Sequence, residues 1–253
     1  MIGIIGPTAS GKTSLAVAVA AKIGGEIISA DSRQVYIGMD IGSGKDLSEF
    51  SIDGKNIPYH LIDIHQPGYE YNVYEYQKDF HKAYNDIINR KHIPILCGGT
   101  GMYIEAILKG YKLIPVPRNE VLRAELETKD TKELITLLSA NKDLHNTSDS
   151  IERNRLVRAI EIELFNKENK IPEEKYPLID YRLFAINYER DELKKRITKR
   201  LKERLNSGMV EEVNGLLASG ITVDQLKFYG LEYKFLAQYV NGELKYNDMY
   251  QKL

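Results

Sequence analysis

The sequence has 253 residues, 43% hydrophobic and 28% charged, with a formal net charge of −1. Those proportions fit one large globular core, or a core plus a small insert, and provide no global basic field to draw in nucleic acid. Cys97 is the single cysteine, which rules out an intrachain disulfide and suits a reducing cytosol, and no run approaches the roughly 18 apolar residues of a membrane span.

The chain opens with "MIGII", a short buried strand by pattern, so no signal peptide is expected. "GPTASGKT", Gly6 to Thr13, follows at once and matches G-x-x-x-x-G-K-[ST] at every specified position. Backbone N–H groups in such a loop, with the start of the helix predicted over "TSLAVAVAAKI", make an anion nest. Lys12 adds a point charge, and Thr13 offers a hydroxyl to a phosphate-bound Mg²⁺. "GEIISA" reads as a second buried strand ending at Asp31, and "YEYQKDFHKAYNDIINRK" has helical spacing. "HIPILC" is a third strand, running into Gly98-Gly99-Thr100-Gly101, and "MYIEAILKG" is a helix stopped by Gly110. Strands alternating with helices predict a parallel sheet with ligands beyond the strands' carboxyl ends. The loop, Asp31 and Thr100 each follow a strand, so they are expected to converge there. Residues 116–177 turn to charged helices and polar turns, read as a helical insert between core segments 1–115 and 178–253. "YRLFAINY" then predicts a further core strand, and helices follow to Leu253.

Several residues carry both a chemical and a plain structural reading. Asp31 suits a Mg²⁺ ligand or a proton acceptor, but also a turn aspartate. Thr100 can donate to a phosphate or bridging oxygen, or simply sit in a strand-to-helix turn. Arg190 to Arg204 holds eight Lys/Arg against three Asp/Glu, and Arg196, Arg200 and Arg204 share one helix face by their four-residue spacing. That stripe suits a diphosphate clamp, an RNA backbone or a solvated face. Arg153, Arg155 and Arg158 suit a phosphate lid, an RNA contact or salt bridges to Glu152, Glu161 or Glu163. The five histidines show no zinc spacing with Cys97, and most of the 17 tyrosines are expected in the core.

Taken together, "GPTASGKT", "ISADSRQVYIGMDIGSGK", "YHLIDI", "GGTGMYIEAIL", "RNRLVRAIE" and "RITKRLKERLNSGMVEEV" resemble the tRNA dimethylallyltransferase (isopentenyltransferase) family. The resemblance implies an α/β fold, a P-loop NTPase-like parallel sheet flanked by helices with a helical insertion domain. It implies dimethylallyl diphosphate and the adenosine on the 3′ side of the tRNA anticodon as substrates. Gly6, Thr8, Ala9, Ser10, Gly11, Lys12 and Thr13 would then hold the diphosphate with Mg²⁺ on Thr13. Asp31 would take the amine proton, and Thr100 with Arg196 and Arg200 would stabilise the leaving group. Ser32, Gln34 and Tyr36 would line the base end; Lys45, Arg155 and Arg158 are assigned to tRNA, and the insert to the anticodon stem. A cytoplasmic monomer is expected. Family members continue with a helix of Q-x-A-K-R-Q-x-T-W type, and no such motif occurs up to Leu253, so weakened tRNA binding is expected of this chain. A small-molecule kinase, an enzyme prenylating free adenylate and a non-catalytic RNA-binding relative are the competing readings.

Overall fold

The structure, a computed structural model, describes residues 1–140, 153–169 and 176–253. It divides into two compact units: Met1–Tyr111 with Tyr176–Leu253, and Lys112–Lys175.

The first unit is built on a five-stranded parallel sheet. Its strands are β1 (Ile2–Ile5), β2 (Gly25–Ala30), β5 (Tyr59–His60), β6 (Ile93–Gly98) and β7 (Arg182–Ala185), in spatial order β5-β2-β6-β1-β7. The register puts Ile4 opposite Cys97 on one side and Phe184 on the other. Side chains alternate across a strand, so a sheet covered on both faces needs nearly continuous apolar runs. "GEIISA" and "IPILCG" meet that demand. Ile27, Ile95 and Cys97 join Ile4 and the α1 helix (Lys12–Ile23) residues Ala16, Val17 and Ala20 in one cluster. Ile28, Ala30 and Leu96 join the opposite cluster with Tyr76, Phe80, Tyr103 and Ile107.

That second face is covered by α2 (Val73–Asn89) and α3 (Gly101–Leu108). Asn72 and Glu75 form a reciprocal capping box that starts α2. Tyr76 of α2 stacks on Tyr103 of α3 at 4.0 Å, and the Gln77 amide donates to the Ala106 and Tyr111 carbonyls. Four residues on, His81 stacks against Tyr176 at 4.0 Å. Helices α7 (Arg190–Asn206), α8 (Met209–Ala218), α9 (Val223–Phe228), α10 (Leu231–Val240) and α11 (Tyr246–Lys252) complete the unit.

Two features depart from the sequence expectation. β7 joins the core sheet as expected, but at its edge and with all four residues exposed; only β1 flanks it among the described residues. Between β2 and β5 lie a 3₁₀ turn, Leu47–Phe50, and a two-stranded ribbon of β3 (Ser51–Ile52) and β4 (Lys55–Asn56). Their two-residue length is too short to leave a period in the sequence.

The described part of the second unit consists of α4 (Glu120–Glu127), α5 (Thr131–Ser139) and α6 (Arg153–Glu168). It has its own core of Leu126, Leu134, Leu138, Leu156, Val157 and Ile160. The unit begins and ends a few residues before the 116–177 read from composition. Glu152, one of the expected arginine partners, lies outside the described residues.

Candidate active site

Residues Gly6 to Thr13 wrap the carboxyl end of β1. The turn requires two left-handed residues, Ala9 at φ 58° and Gly11 at φ 79°. Glycine takes that conformation freely, whereas alanine holds it at a cost of about 1–3 kcal/mol. The strain is offset from outside the loop, since Arg196 of α7 donates from Nε to the Ala9 carbonyl at 2.9 Å. The Arg196 guanidinium in turn lies over the Tyr188 ring, 4.6 Å from its centroid. Arg200, one turn on, donates to the Gly44 carbonyl at 3.0 Å, and Arg204 reaches the Gly42 carbonyl. Burial holds Arg204 below the usual guanidinium range, at about 10, with Arg200 adding to the effect. The arginine stripe therefore faces the protein, while Lys194, Lys195 and Lys202 of the same helix face solvent.

Loop and helix enclose a cavity of about 410 Å³, lined by Ala9 to Ser14, Glu49, Arg196, Lys199, Arg200 and Glu203. The α1 N-terminus opens onto it, so helix dipole, Lys12 and three α7 cations all favour an anion there. Ser10 is 2% exposed and its hydroxyl has no hydrogen-bond partner among the described residues, which fits a group awaiting a ligand oxygen. Gly6 and Thr8 belong to the same turn but do not line the cavity.

A second cavity, of only about 10 Å³, shares Lys12 and Thr13 with the first and is also lined by Ser29, Asp31, Gln34, Cys97 and Gly98. It joins the loop to the ends of β2 and β6. A Cβ on Gly98 would overlap the Ala30 backbone, so glycine is what lets the two strand ends close up. The Thr100 N–H then reaches the Ala30 carbonyl at 3.0 Å. Thr100 Oγ1 accepts from the Ser32 N–H at 3.0 Å and donates to Ser32 Oγ over a long 3.4 Å, a bond its proton can exchange for one to a ligand oxygen. Asp31 accepts from the Arg33 N–H at 2.9 Å, the local turn bond weighed against a chemical role. A carboxylate keeps further lone pairs, so both roles can coexist. Gln34 Oε1 accepts from the Ser29 hydroxyl at 3.3 Å. The Cys97 thiol is pushed up to about 12 by burial, which makes it inert beneath the site.

Two sequence assignments are corrected. Tyr36 is fully buried and its hydroxyl accepts from the Tyr71 N–H at 3.1 Å, so it supports the wall instead of touching a base. Lys45 has no exposed side-chain surface: its ammonium donates to the Tyr36 carbonyl at 2.9 Å and pairs with Asp40 at 2.6 Å and with Asp63. An ammonium whose three donors are all taken inside the protein cannot meet a phosphate. Arg158 engages the Val116 carbonyl at 2.7 Å and Glu161 within its own unit, with its side chain still partly exposed. Glu161 is held down at about 2: burial opposes this, but Arg123, the Asn119 N–H and Arg158 outweigh it. Arg153 closes the C-terminal carbonyls of α4, and Arg155 is exposed on α6.

The sequence reading missed Glu49, Lys199 and Glu203 on the cavity wall, and Glu212. The last accepts from three successive N–H groups, Asp40, Ile41 and Gly42, at 2.7–3.0 Å, and from the Tyr233 hydroxyl at 2.7 Å. It thereby fixes the loop whose carbonyls orient Arg200 and Arg204. No motif marks these carboxylates, because each acts across more than a hundred residues of chain or from an irregular turn.

A phosphate loop closing on the ends of parallel strands, with a carboxylate and a threonine beside it, defines a phosphate-loop α/β protein with a polar site next to its anion cradle. Comparison with known proteins narrows this. A family model described as IPP transferase matches residues 34–253, and one described as isopentenyl transferase matches residues 1–56. A tRNA dimethylallyltransferase of Bacteroides fragilis is 52% identical across 100% of this chain and 83% of its own. One of Geotalea uraniireducens is 54% identical across 100% of this chain and 82% of its own. The crystal structure of the Bacillus halodurans tRNA isopentenylpyrophosphate transferase covers 99% of this chain and 80% of its own, at 31% identity and TM-score 0.68. A eukaryotic dimethylallyltransferase acting on tRNA shares the fold at TM-score 0.76, with 24% identity over 100% of this chain and 65% of its own. The chain belongs to the IPP transferase family, with the tRNA dimethylallyltransferases.

Proposed function

We propose that this protein transfers the dimethylallyl group from dimethylallyl diphosphate to the exocyclic amine of the adenosine 3′-adjacent to the anticodon of tRNA, releasing diphosphate. The observation that carries the reading is that Lys12 and Thr13 line both the anion cavity and the small pocket that holds Asp31 and Gln34. An anion cradle with a carboxylate next to it suits a reaction that loses a phosphate leaving group and a proton at one centre.

In the reaction the allylic carbon–oxygen bond breaks and a carbon–nitrogen bond to the amine forms. Negative charge grows on the bridging oxygen, where the Thr100 hydroxyl donates its proton in a hydrogen bond. Ser32 N–H, bonded to Thr100 Oγ1 at 3.0 Å, aims that hydroxyl and polarises it. Lys12, Arg196 and Arg200 hold the departing diphosphate, and a preorganised donor of this kind is commonly worth about 10²–10³ in rate. The amine's lone pair is delocalised into the purine, so Asp31 accepts the amine proton as the new bond forms. Gln34 and Ser32 border the position of the base.

Thr13 is the residue that would hold Mg²⁺, which fits an ion bound through substrate phosphates and water, since among the described residues no three His, Cys, Asp or Glu cluster for a metal. When bound, the ion supplies charge neutralisation to the leaving group. Among the described residues no helix is long and apolar enough to cross a membrane. We place its action in the cytoplasm, as a monomer.

Incubation of the chain with an anticodon stem-loop RNA, dimethylallyl diphosphate and Mg²⁺, read by mass spectrometry, tests the proposal. One dimethylallyl group should appear on the adenosine 3′ to the anticodon. Phosphoryl transfer from ATP without prenyl transfer would replace this reading with a kinase.

A further inference from the structure

The arginines beside the anion cavity are aimed from outside it. Arg200 lines the cavity and gives one N–H to the Gly44 carbonyl at 3.0 Å, while Arg204, one turn on, reaches the Gly42 carbonyl. A guanidinium carries five donors in one rigid plane, so the carbonyl that takes one of them sets where the others point. The direction of Arg200 is therefore decided by the turn "DIGSGK", Asp40 to Lys45.

That turn is held by its N–H groups. Those of Asp40, Ile41 and Gly42 converge on the Glu212 carboxylate of α8 at 2.7–3.0 Å. Those of Gly44 and Lys45 close the turn onto the Ile41 and Asp40 carbonyls, at 3.1 and 2.9 Å. Successive backbone N–H groups make an anion-binding nest, and here the anion is a side chain of the protein itself. With these donors satisfied, the Gly42 and Gly44 carbonyls are left to face the arginines. Both glycines are required for close approach. A Cβ on Gly44 would overlap the Arg200 and Arg204 guanidiniums, and one on Gly42 would overlap the Tyr233 ring. Tyr233 is 1% exposed and its hydroxyl donates to Glu212 at 2.7 Å, so the carboxylate is fixed from the core.

We infer that Glu212 is a positioning residue for the diphosphate: through the turn Asp40 to Lys45 it sets the direction in which Arg200 offers its remaining donors to the cavity. Glu212 does not itself line that cavity. This rests on the proposed function and deepens it, by naming what holds a cation ready for the leaving group. Donors fixed in advance need no reorganisation as charge develops, so a loosened turn lowers both diphosphate affinity and kcat.

A double-mutant cycle in the whole chain tests this, with calorimetric affinity for inorganic pyrophosphate at one fixed Mg²⁺ concentration as the readout. Glu212→Gln turns an N–H donor onto the nest and should weaken pyrophosphate about tenfold. Glu212→Asp keeps the charge but withdraws it by one carbon, and should weaken pyrophosphate by about three- to tenfold. In an Arg200→Ala background each change should cost less than about threefold, because the group through which it acts is gone. Affinities are read at a temperature where thermal melts show each variant folded, and the Asp variant carries the cycle if the Gln variant does not fold. In the transfer assay, KM for dimethylallyl diphosphate should rise while KM for the stem-loop RNA stays within about twofold. Equal losses with and without Arg200 overturn the inference, since Glu212 would then act on the fold alone, and so does an unchanged affinity in the single variants. A wild-type chain with no affinity for pyrophosphate would overturn the diphosphate reading of the cavity, and this inference with it.

Discussion

Replacing Lys45 with methionine separates a structural lysine from an RNA-binding one. The side chain has no exposed surface and donates to the Tyr36 carbonyl, Asp40 and Asp63. Methionine fills most of the volume but leaves these acceptors behind. Removing one partner of a buried ion pair commonly costs about 3–5 kcal/mol, because the other charge stays buried and unmatched. Here the side chains of Asp40 and Asp63 remain 54% and 28% exposed, so both can recover part of their hydration. That lowers the expected loss to about 2–3 kcal/mol. With a urea slope of about 1–3 kcal/mol per molar, the unfolding midpoint should fall by about 0.7–3 M. Circular dichroism during urea titration measures this, and nitrocellulose-filter binding of an anticodon stem-loop RNA measures affinity under conditions where the variant is folded. Affinity should be unchanged within about twofold, against the roughly tenfold loss expected when a specific charged contact goes. An unaltered midpoint together with a tenfold loss of RNA affinity would refute the structural assignment.

Asp31→Asn should lower kcat by about 10²–10⁴ while pyrophosphate affinity by calorimetry stays within about twofold, and equal loss of both would remove the proton-accepting role. Thr100→Val keeps the shape but loses the hydroxyl, so kcat should fall by about 10²–10³ with little change in KM, and Thr100→Ser should restore most of the rate. Glu26 pairs with Arg90, His60 and His92, each at 2.6 Å, and Arg90 first of all holds its carboxyl down at about 2. A depressed carboxyl stabilises the fold above its unfolded pKa, and that contribution disappears as pH falls from about 4.5 toward 2. Acid titration followed by circular dichroism should show Glu26→Gln losing stability at neutral pH and a flatter decline across that window; identical acid limbs in both proteins would contradict the linkage.

The parts of the site that follow a strand were legible because a buried parallel strand leaves a dense apolar signature and its loop begins where that signature stops. Gly6–Thr13, Asp31 and Thr100 were found that way. Lys45 and Tyr36 were misread because they sit in the same segment as Asp31, and nothing local distinguishes a lysine turned inward from one turned to solvent. Inward burial of Lys45 depends on Asp63, eighteen residues on, and on a left-handed turn at Leu61 and Asp63. Arg196, Arg200 and Arg204 were grouped correctly by helical spacing, but their direction comes from carbonyls at Ala9, Gly42 and Gly44. Glu49 and Glu212 carry no motif at all. Strand β7 was legible as a member of the sheet from its apolar residues; its edge position is a matter of topology, which periodicity does not encode.

The six aliphatic side chains that pack among themselves within residues 112–175 have a bearing on how such a protein can change over generations. A segment that satisfies its own apolar surface can be lengthened, shortened or exchanged without repacking the sheet. Selection can therefore remodel it while the groups around the phosphate loop are left untouched.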